Sequence, residues 1–196
     1  SLGIYDTGKG LNFLISRKGR NITFSSLWNN YPDEVSIPIT PKAKSYNAAY
    51  LMLAGTTNNM QSRIDNALVI AEYEEGCADT LHLENPINWP TINEEYVFDD
   101  YAFWSAPVMP LRFRLDNGAV GRHINSTELL TTVPLKKENK EKKIGENNRY
   151  AIEKGAGVIL NMPLNPARRI RAIRIKTLSN DIVVGIMAIT LQKTSD

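Results

Sequence analysis

The stretch of the chain whose residue types come closest to a binding chemistry spans residues 85–104, NPINWPTINEEYVFDDYAFW. Aromatic rings are interleaved there with acidic and amide side chains. Sugars present apolar C–H faces and hydroxyl edges, so the sites that bind them combine aromatic rings with hydrogen-bonding side chains. The composition of this stretch therefore favours a carbohydrate-binding surface.

The aromatic residues of this stretch have two interpretations. The spacing of Phe98 and Phe103 indicates that these rings belong to a core. Trp89 and Trp104 fit an exposed sugar platform as well as they fit a core, and our hypothesis places both indole rings toward solvent. The candidate ligand-binding residues of this stretch are Trp89, Trp104, Tyr101, Asp99 and Asp100.

A second polar loop, TTNNMQSRIDN at residues 56–66, is rich in amide side chains. Gln61 and Arg63 of this loop complete our candidate set, since they could line the same binding edge. Amide side chains in loops also bond to their own backbone. Both interpretations of this loop stay open at the level of sequence.

Carboxylate pairs are the other chemistry that the composition offers, because glycosidases use two carboxyl groups roughly 5 to 10 Å apart. Adjacent pairs occur at residues 74–75, 94–95 and 99–100. Neighbouring side chains of an extended chain point to opposite sides, so no doublet is a catalytic pair by itself. We predict no catalytic residue and no enzyme activity for this chain; a catalytic sandwich, such as a lyase or hydrolase, is a third alternative.

Sequence motifs for a catalytic nucleophile or a metal site do not give a stronger case for enzyme activity. No G-x-S-x-G motif occurs. Two histidines and the single cysteine, Cys77, are too few for a tetrahedral zinc site, and His82 falls on the polar face of its predicted strand. We predict no cofactor; calcium is the metal that the oxygen-bearing side chains would suit.

The N-terminal segment GIYDTGKG, residues 3–10, has glycines and a lysine near the spacing of a phosphate-binding loop. Gly10 stands where such a loop needs a magnesium-binding hydroxyl, and no strand precedes the segment. The segment therefore predicts a plain loop or hairpin.

The elements that must position these residues are strands. Alternating or continuous apolar patterns predict strands at 50–55, 67–73, 109–115, 157–164, 170–178 and 182–191. Gly76 between two such patterns predicts a hairpin, with Leu81 and Leu83 pointing inward. In MPLRFRL, Arg112 and Arg114 predict one basic face. The fold class predicted is all-β, an antiparallel β-sandwich or jelly roll.

Chain length, charge and hydrophobicity limit the class of protein. A chain of 196 residues fits one domain, residues 1–196, and buries roughly 70% of its unfolded surface. Lys and Arg number 23 against 21 Asp and Glu, and this balance disfavours a nucleic-acid partner or an anionic membrane surface. No run approaches the ~20 apolar residues of a membrane span. KKENKEKKIGENNR, residues 136–149, predicts a solvated, mobile loop.

Three segments carry a family resemblance: SLWNNYPDEVSIPI, AAYLMLAGTTNNMQSRIDNALVIAEYEEGCADTLHLENPINW and KGAGVILNMPLNPARRIRAIRIKTLSNDIVVGIMAITL. They resemble the β-sandwich region of large bacterial proteins in which a galactose-binding-like or jelly-roll module accompanies a six-hairpin, glycosidase-like helical domain. The resemblance covers residues 24–191. It implies a fragment of a longer multidomain protein of polysaccharide breakdown, in the periplasm or secreted.

Two functions follow as expectations. The first is a non-catalytic accessory module of a carbohydrate-active protein, with glycan and the helical glycosidase-like domain of the same polypeptide as partners. The second is a purely structural interdomain or protein-interaction domain without a small ligand. Exposed tryptophan rings favour the first and buried rings the second. In either case the hairpin within residues 71–89 is chiefly scaffold, and its exit at Trp89 is the one place where it could contact a ligand.

Overall fold

The computed structural model describes residues 2–16, 18–41, 45–96, 109–122 and 149–194. These ranges form strands joined by turns, with a single 3-10 turn at Asn59–Gln61 and no α-helix among them. The strands are β1 Leu2–Asp6, β2 Asn12–Ser16, β3 Thr23–Ser26, β4 Glu34–Pro38, β5 Tyr46–Thr56, β6 Asp65–Tyr73, β7 Ala78–Glu84, β8 Glu94–Tyr96, β9 Leu111–Arg114, β10 Val120–Gly121, β11 Arg149–Ala151, β12 Ala156–Pro163, β13 Ile170–Thr177 and β14 Val183–Lys193.

Two antiparallel sheets build the body of the molecule. The larger sheet has the strand order β10-β9-β12-β5-β14-β3, and the smaller one has the order β4-β13-β6-β7. Two further ribbons pair β1 with β2 and β8 with β11. The prediction of an all-β chain with antiparallel, sandwich-like sheets is confirmed.

The core lies between the two sheets because side chains alternate along each strand. In β5, Leu51 and Leu53 face the smaller sheet and are fully buried. Ile173 and Ile175 of β13 meet them from the other side in the same cluster. Burying such side chains contributes roughly 1.5–3 kcal/mol each, so this layer is the main source of stability.

The larger sheet has a second apolar layer on its outward face. Met52 of β5 and Phe113 of β9 point away from the core and join a cluster that includes Phe13 of β2. The β1–β2 hairpin covers them, fastened where Thr190 Oγ1 donates to the Asn12 carbonyl at 2.6 Å. The N-terminal GKG segment is thus the turn of a hairpin, as predicted, and not a phosphate-binding loop.

The hairpin formed by β6 and β7 matches its sequence pattern. Gly76 takes a φ of +82° at the turn, a conformation that other residues adopt at a cost. Leu83 is fully buried and Leu81 packs against the core. His82 faces solvent as predicted, with Nδ1 2.9 Å from Asp65 Oδ2.

The basic face predicted for residues 109–115 is wrong in one respect. Arg114 is half-buried and pairs with Asp116 at 3.0 Å, but Arg112 is almost completely buried. The strand turns Arg112 toward the interior, where its guanidinium donates to backbone carbonyls instead of facing water.

Candidate functional site

Trp89 lies in the core, so the expectation of a solvent-facing ring at this position is wrong. Only 2% of its surface is exposed, and it belongs to the cluster between the sheets. The chain folds back after β7, with the Trp89 amide donating to the Glu84 carbonyl at 3.1 Å. This turn directs the indole inward, against Gly55, and removes it as a sugar platform.

The loop that holds Gln61 and Arg63 is organised by its own hydrogen bonds. The Asn66 side chain accepts from Thr57 Oγ1 at 2.7 Å and donates to the Gln61 carbonyl at 2.9 Å. The Arg63 amide donates to the Asn85 carbonyl at 2.7 Å, and its side chain is exposed. These contacts support the interpretation that the loop amides satisfy their own backbone.

The remaining predicted site residues lie outside the described residues: Trp104, Tyr101, Asp99 and Asp100. The same holds for residues 136–148 of the predicted mobile loop and for His123. Their roles stay predictions.

A groove with a volume of about 440 Å³ lies on the outward face of the larger sheet, beside the part that the β1–β2 hairpin covers. This volume is within the ordinary range of small-ligand sites, roughly 300–1,000 Å³. Ala54, Gly55 and Val183 of the central strands β5 and β14 line it from below. We take this groove as the candidate functional site.

Three aromatic rings form one wall of the groove. Phe24 and Tyr31 meet edge to face, with ring centroids 5.1 Å apart and planes at 66°. Trp28 lies beside Tyr31, with centroids 6.2 Å apart and planes at 44°. Trp28 and Tyr31 are 46% and 43% exposed, so both rings present apolar surface to solvent.

The turn that carries these rings is anchored at both ends. Ser26 Oγ donates to the Ile182 carbonyl at 2.7 Å, and the Ser26 amide donates to the Pro32 carbonyl at 2.9 Å. Inside the turn, the Tyr31 amide donates to the Trp28 carbonyl at 3.0 Å. The rings therefore stand on a fixed backbone, which lowers the entropy cost of binding a ligand.

The floor depends on the absence of a side chain at Gly55. A Cβ at this position would lie 1.9 Å from the Val183 carbonyl oxygen and 3.0 Å from Trp89 Cζ2. Any larger residue would have to displace backbone of β14. Trp89 thus contributes to the groove from behind, as packing under the floor.

Ile92 and Leu115 form the opposite wall. The Ala156 amide donates to the Ile92 carbonyl at 2.7 Å, and the Leu115 amide donates to the Gly155 carbonyl at 3.0 Å. The buried Arg112 guanidinium holds the same region, because it donates to the Thr91 and Ala156 carbonyls at 2.7 and 3.0 Å. Arg112 is therefore a structural clamp behind this wall.

Polar chemistry at the groove is sparse. Asn21 supplies the one side-chain amide of the lining, and its Nδ2 lies 3.4 Å from the Ser16 carbonyl. Asn29 and Asn30 follow Trp28 in the turn and are exposed. Among the residues that the structure describes, no charged side chain lines the groove. The arrangement can bind an apolar face and hydrogen-bond at its rim.

A metal-binding cluster and a membrane-spanning helix are both absent from the described ranges. No group of three or more His, Cys, Asp or Glu residues there could hold a metal ion. Among the same residues, no helix has the length and apolar character needed to cross a membrane.

Comparison of the chain with protein-family models, with curated proteins and with solved structures found no match. The resemblance to the sandwich of glycosidase-associated proteins therefore stays a prediction.

Sequence reasoning missed the groove although its aromatic residues were visible. Trp28 and Tyr31 sit in LWNNYPD, between amide and proline residues that mark a turn. Trp89 stands in the same local setting, between Asn88 and Pro90, yet its ring is buried. The turn residues beside an aromatic ring therefore do not distinguish the exposed ring from the buried one.

Proposed function

We propose that this domain is a non-catalytic glycan-binding module with a jelly-roll or galactose-binding-like sandwich. The observation that carries the proposal is the pair of adjacent, half-exposed rings, Trp28 and Tyr31, on one wall of a concave surface. Large apolar rings at a concave surface are typical of binding sites.

The physical chemistry of the pair suits a sugar. A pyranose ring that stacks on Trp28 removes apolar area of both partners from water, at roughly 25 cal/mol per Å². The exposed Asn29 and Asn30 and the amide of Asn21 can bond to hydroxyls at the rim. Few polar contacts imply modest affinity, as expected of an accessory module that acts beside another domain.

The wider setting is part of the same proposal. The module belongs to a longer carbohydrate-active protein that is periplasmic or secreted, and a helical glycosidase-like domain accompanies it. These points rest on the family resemblance of residues 24–191.

A titration of the domain with soluble oligosaccharides, followed by NMR chemical shifts and calorimetry, tests the proposal. We expect shifts confined to the groove, and binding at least roughly tenfold weaker in Trp28→Ala, because the ring provides most of the stacking area. Met60→Ala is the matched control, since Met60 is the most exposed large apolar residue described and is not part of the groove lining. No response across a broad panel would refute glycan binding.

A second candidate is a protein-interaction domain, and two observations favour it: the burial of Trp89 and one exposed apolar surface. Leu2, Ile4 and Leu14 lie on the outer side of the β1–β2 hairpin, where Ile4 pairs with Leu14 across the ribbon. All three are more than half exposed, and contiguous apolar surface of this kind is typical of docking sites. Hydrogen–deuterium exchange of β1 and β2, compared between the isolated domain and the longer protein, tests it. Equal exchange would exclude this surface as an interface.

A further inference from the structure

Four connections between strands lie at the same end of the sandwich: residues 27–33, 57–64, 85–93 and 178–182. We call this surface the loop end, and we propose that two copies of this chain associate through it. The loop end adjoins the groove, because Trp28 and Tyr31 belong to both. The proposal does not rest on glycan binding.

Hydrogen bonds tie the four connections into one surface. The Leu178 amide donates to the Asn66 carbonyl at 2.9 Å, and the Arg63 amide donates to the Asn85 carbonyl at 2.7 Å. The serine hydroxyl that anchors the turn after β3 to the start of β14 completes the link. The backbone of the loop end is therefore fixed before a partner arrives, which lowers the entropy cost of association.

The loop end carries most of the exposed apolar side chains. Twelve large apolar residues are exposed in the described part of the chain, and seven of them lie here: Leu27, Trp28, Tyr31, Met60, Ile64, Ile87 and Leu178. At the opposite end of the sandwich, the connections at 74–77 and 164–169 are fully described and expose no large apolar side chain. Apolar surface concentrated in one region is typical of a protein-interaction site.

The size of the loop end fits a stable protein interface. Its four connections contain 29 residues, and 21 of these are exposed or half-buried. In an interface of standard size each partner contributes roughly 20–30 residues. A second copy of the chain presents a surface of the same extent and can cover all of it.

The composition of the loop end is also that of an interface. Asp33, Arg63 and Asp181 are its only charged residues, and it contains neither lysine nor glutamate. The centres of protein interfaces are depleted in charge and enriched in tryptophan, tyrosine, methionine and arginine. An anionic lipid surface is a poorer partner, because it attracts clusters of lysine and arginine.

These features make the loop end complementary to itself. A two-fold dimer places one surface against its own copy, so a block of like charge would repel. The few charges here have both signs, and the exposed polar side chains include the amides of Asn29, Asn30 and Asn180. An amide both donates and accepts hydrogen bonds, so it can pair with its equivalent. A second copy therefore suits both the apolar and the polar groups of this surface.

Sedimentation equilibrium of the whole chain over a wide range of protein concentrations tests the proposal. One chain has a mass of 22.0 kDa, and we expect the measured mass to rise toward about twice this value as concentration increases. A mass of 22.0 kDa at every concentration would overturn the proposal.

Two variants locate the interface. Met60 is 85% exposed and Ile87 is 42% exposed, in different connections, so Met60→Asp and Ile87→Asp should leave the fold intact. Each should weaken association at least roughly tenfold, because two-fold symmetry buries the added charge twice. Unchanged association in either variant would refute an interface at the loop end.

The matched control is Ile4→Asp, since Ile4 is 70% exposed on the β1–β2 hairpin and outside the loop end. Association should be unchanged in this variant. If Ile4→Asp abolished it, the hairpin would be the interface and the proposal would be wrong. Flotation with neutral phosphatidylcholine vesicles checks another occupant. We expect no flotation, and a monomeric chain that floated with the vesicles would assign the loop end to a bilayer instead.

Discussion

The outward faces of the two sheets differ sharply. On the smaller sheet, Arg174 Nη1 donates to Glu34 at 2.9 Å and Arg171 donates to Glu72 at 2.9 Å, across three neighbouring strands. On the larger sheet, the outward face carries Met52, Phe113 and Ile159. The charged face is stable in contact with water, whereas the apolar face must be covered by another part of the protein.

The cover of the apolar face is only partial. The β1–β2 hairpin lies over the cluster that contains Phe13, and the groove lies beside it over Ala54 and Val183. One outward face thus holds both a second core and the candidate site. Where a sheet is apolar on both sides, the part left uncovered is the place to look for a ligand.

The strongest test of this comparison is Phe13→Ala. Phe13 is 1% exposed beneath the hairpin, so its truncation should lower the free energy of unfolding by about 3–5 kcal/mol in a urea titration. Leu14→Ala, on the opposite side of the same strand, is the control and should change stability by less than about 1 kcal/mol. Equal, small losses of unfolding free energy in the two variants would mean that the β1–β2 hairpin does not bury Phe13.

The next effect concerns a link between the two sheets at one end of the sandwich. Tyr73 of β6 donates to Asp79 of β7, and the amide of Asn165, which follows β12, donates to Tyr73 Oη at 2.9 Å. Burial, together with the bond to Asp79, raises the pKa of Tyr73 from 10.0 to about 12. The folded protein therefore holds this proton more tightly than the unfolded chain does.

The sign of the pH effect follows from that shift. The contribution of the Tyr73 proton is complete below pH 10 and is lost as pH rises toward 12. The loss should be about 1–2 kcal/mol, because solvent near Asp79 screens part of the roughly 1.4 kcal/mol that each pKa unit represents. Urea titrations between pH 9 and pH 12 check this. Tyr73→Phe should remove this part of the decline, and parallel curves for the two proteins would contradict the assignment.

The smallest effect belongs to the charged face. Arg174→Ala should cost about 1 kcal/mol or less, because half-exposed ion pairs contribute little, and the loss should shrink further at high salt. Thermal unfolding at low and high ionic strength measures it. Arg169 lies 3.3 Å from Glu74 at a more exposed site, so Arg169→Ala should show no measurable change in thermal stability. A large, salt-independent loss of stability in Arg174→Ala would contradict the difference drawn between the two outward faces.

Local pattern predicted much of the scaffold. The run at residues 50–55 lies within β5 and is buried on both faces, and Gly76 is the turn of its hairpin. The candidate site was not predicted, because Trp89 and Trp28 are both tryptophans beside polar residues and differ only in what lies across from them.

The amino-acid sequence alone determined the longer strands, the turn at Gly76 and the second apolar side of β5, since alternation and glycine placement are properties of consecutive residues. Tertiary structure decided which rings reach solvent. Trp89 is buried because its turn directs it against Gly55, a residue more than thirty positions earlier. Trp28 is exposed because the hairpin covers only part of the sheet beside it, and coverage depends on contacts between distant segments.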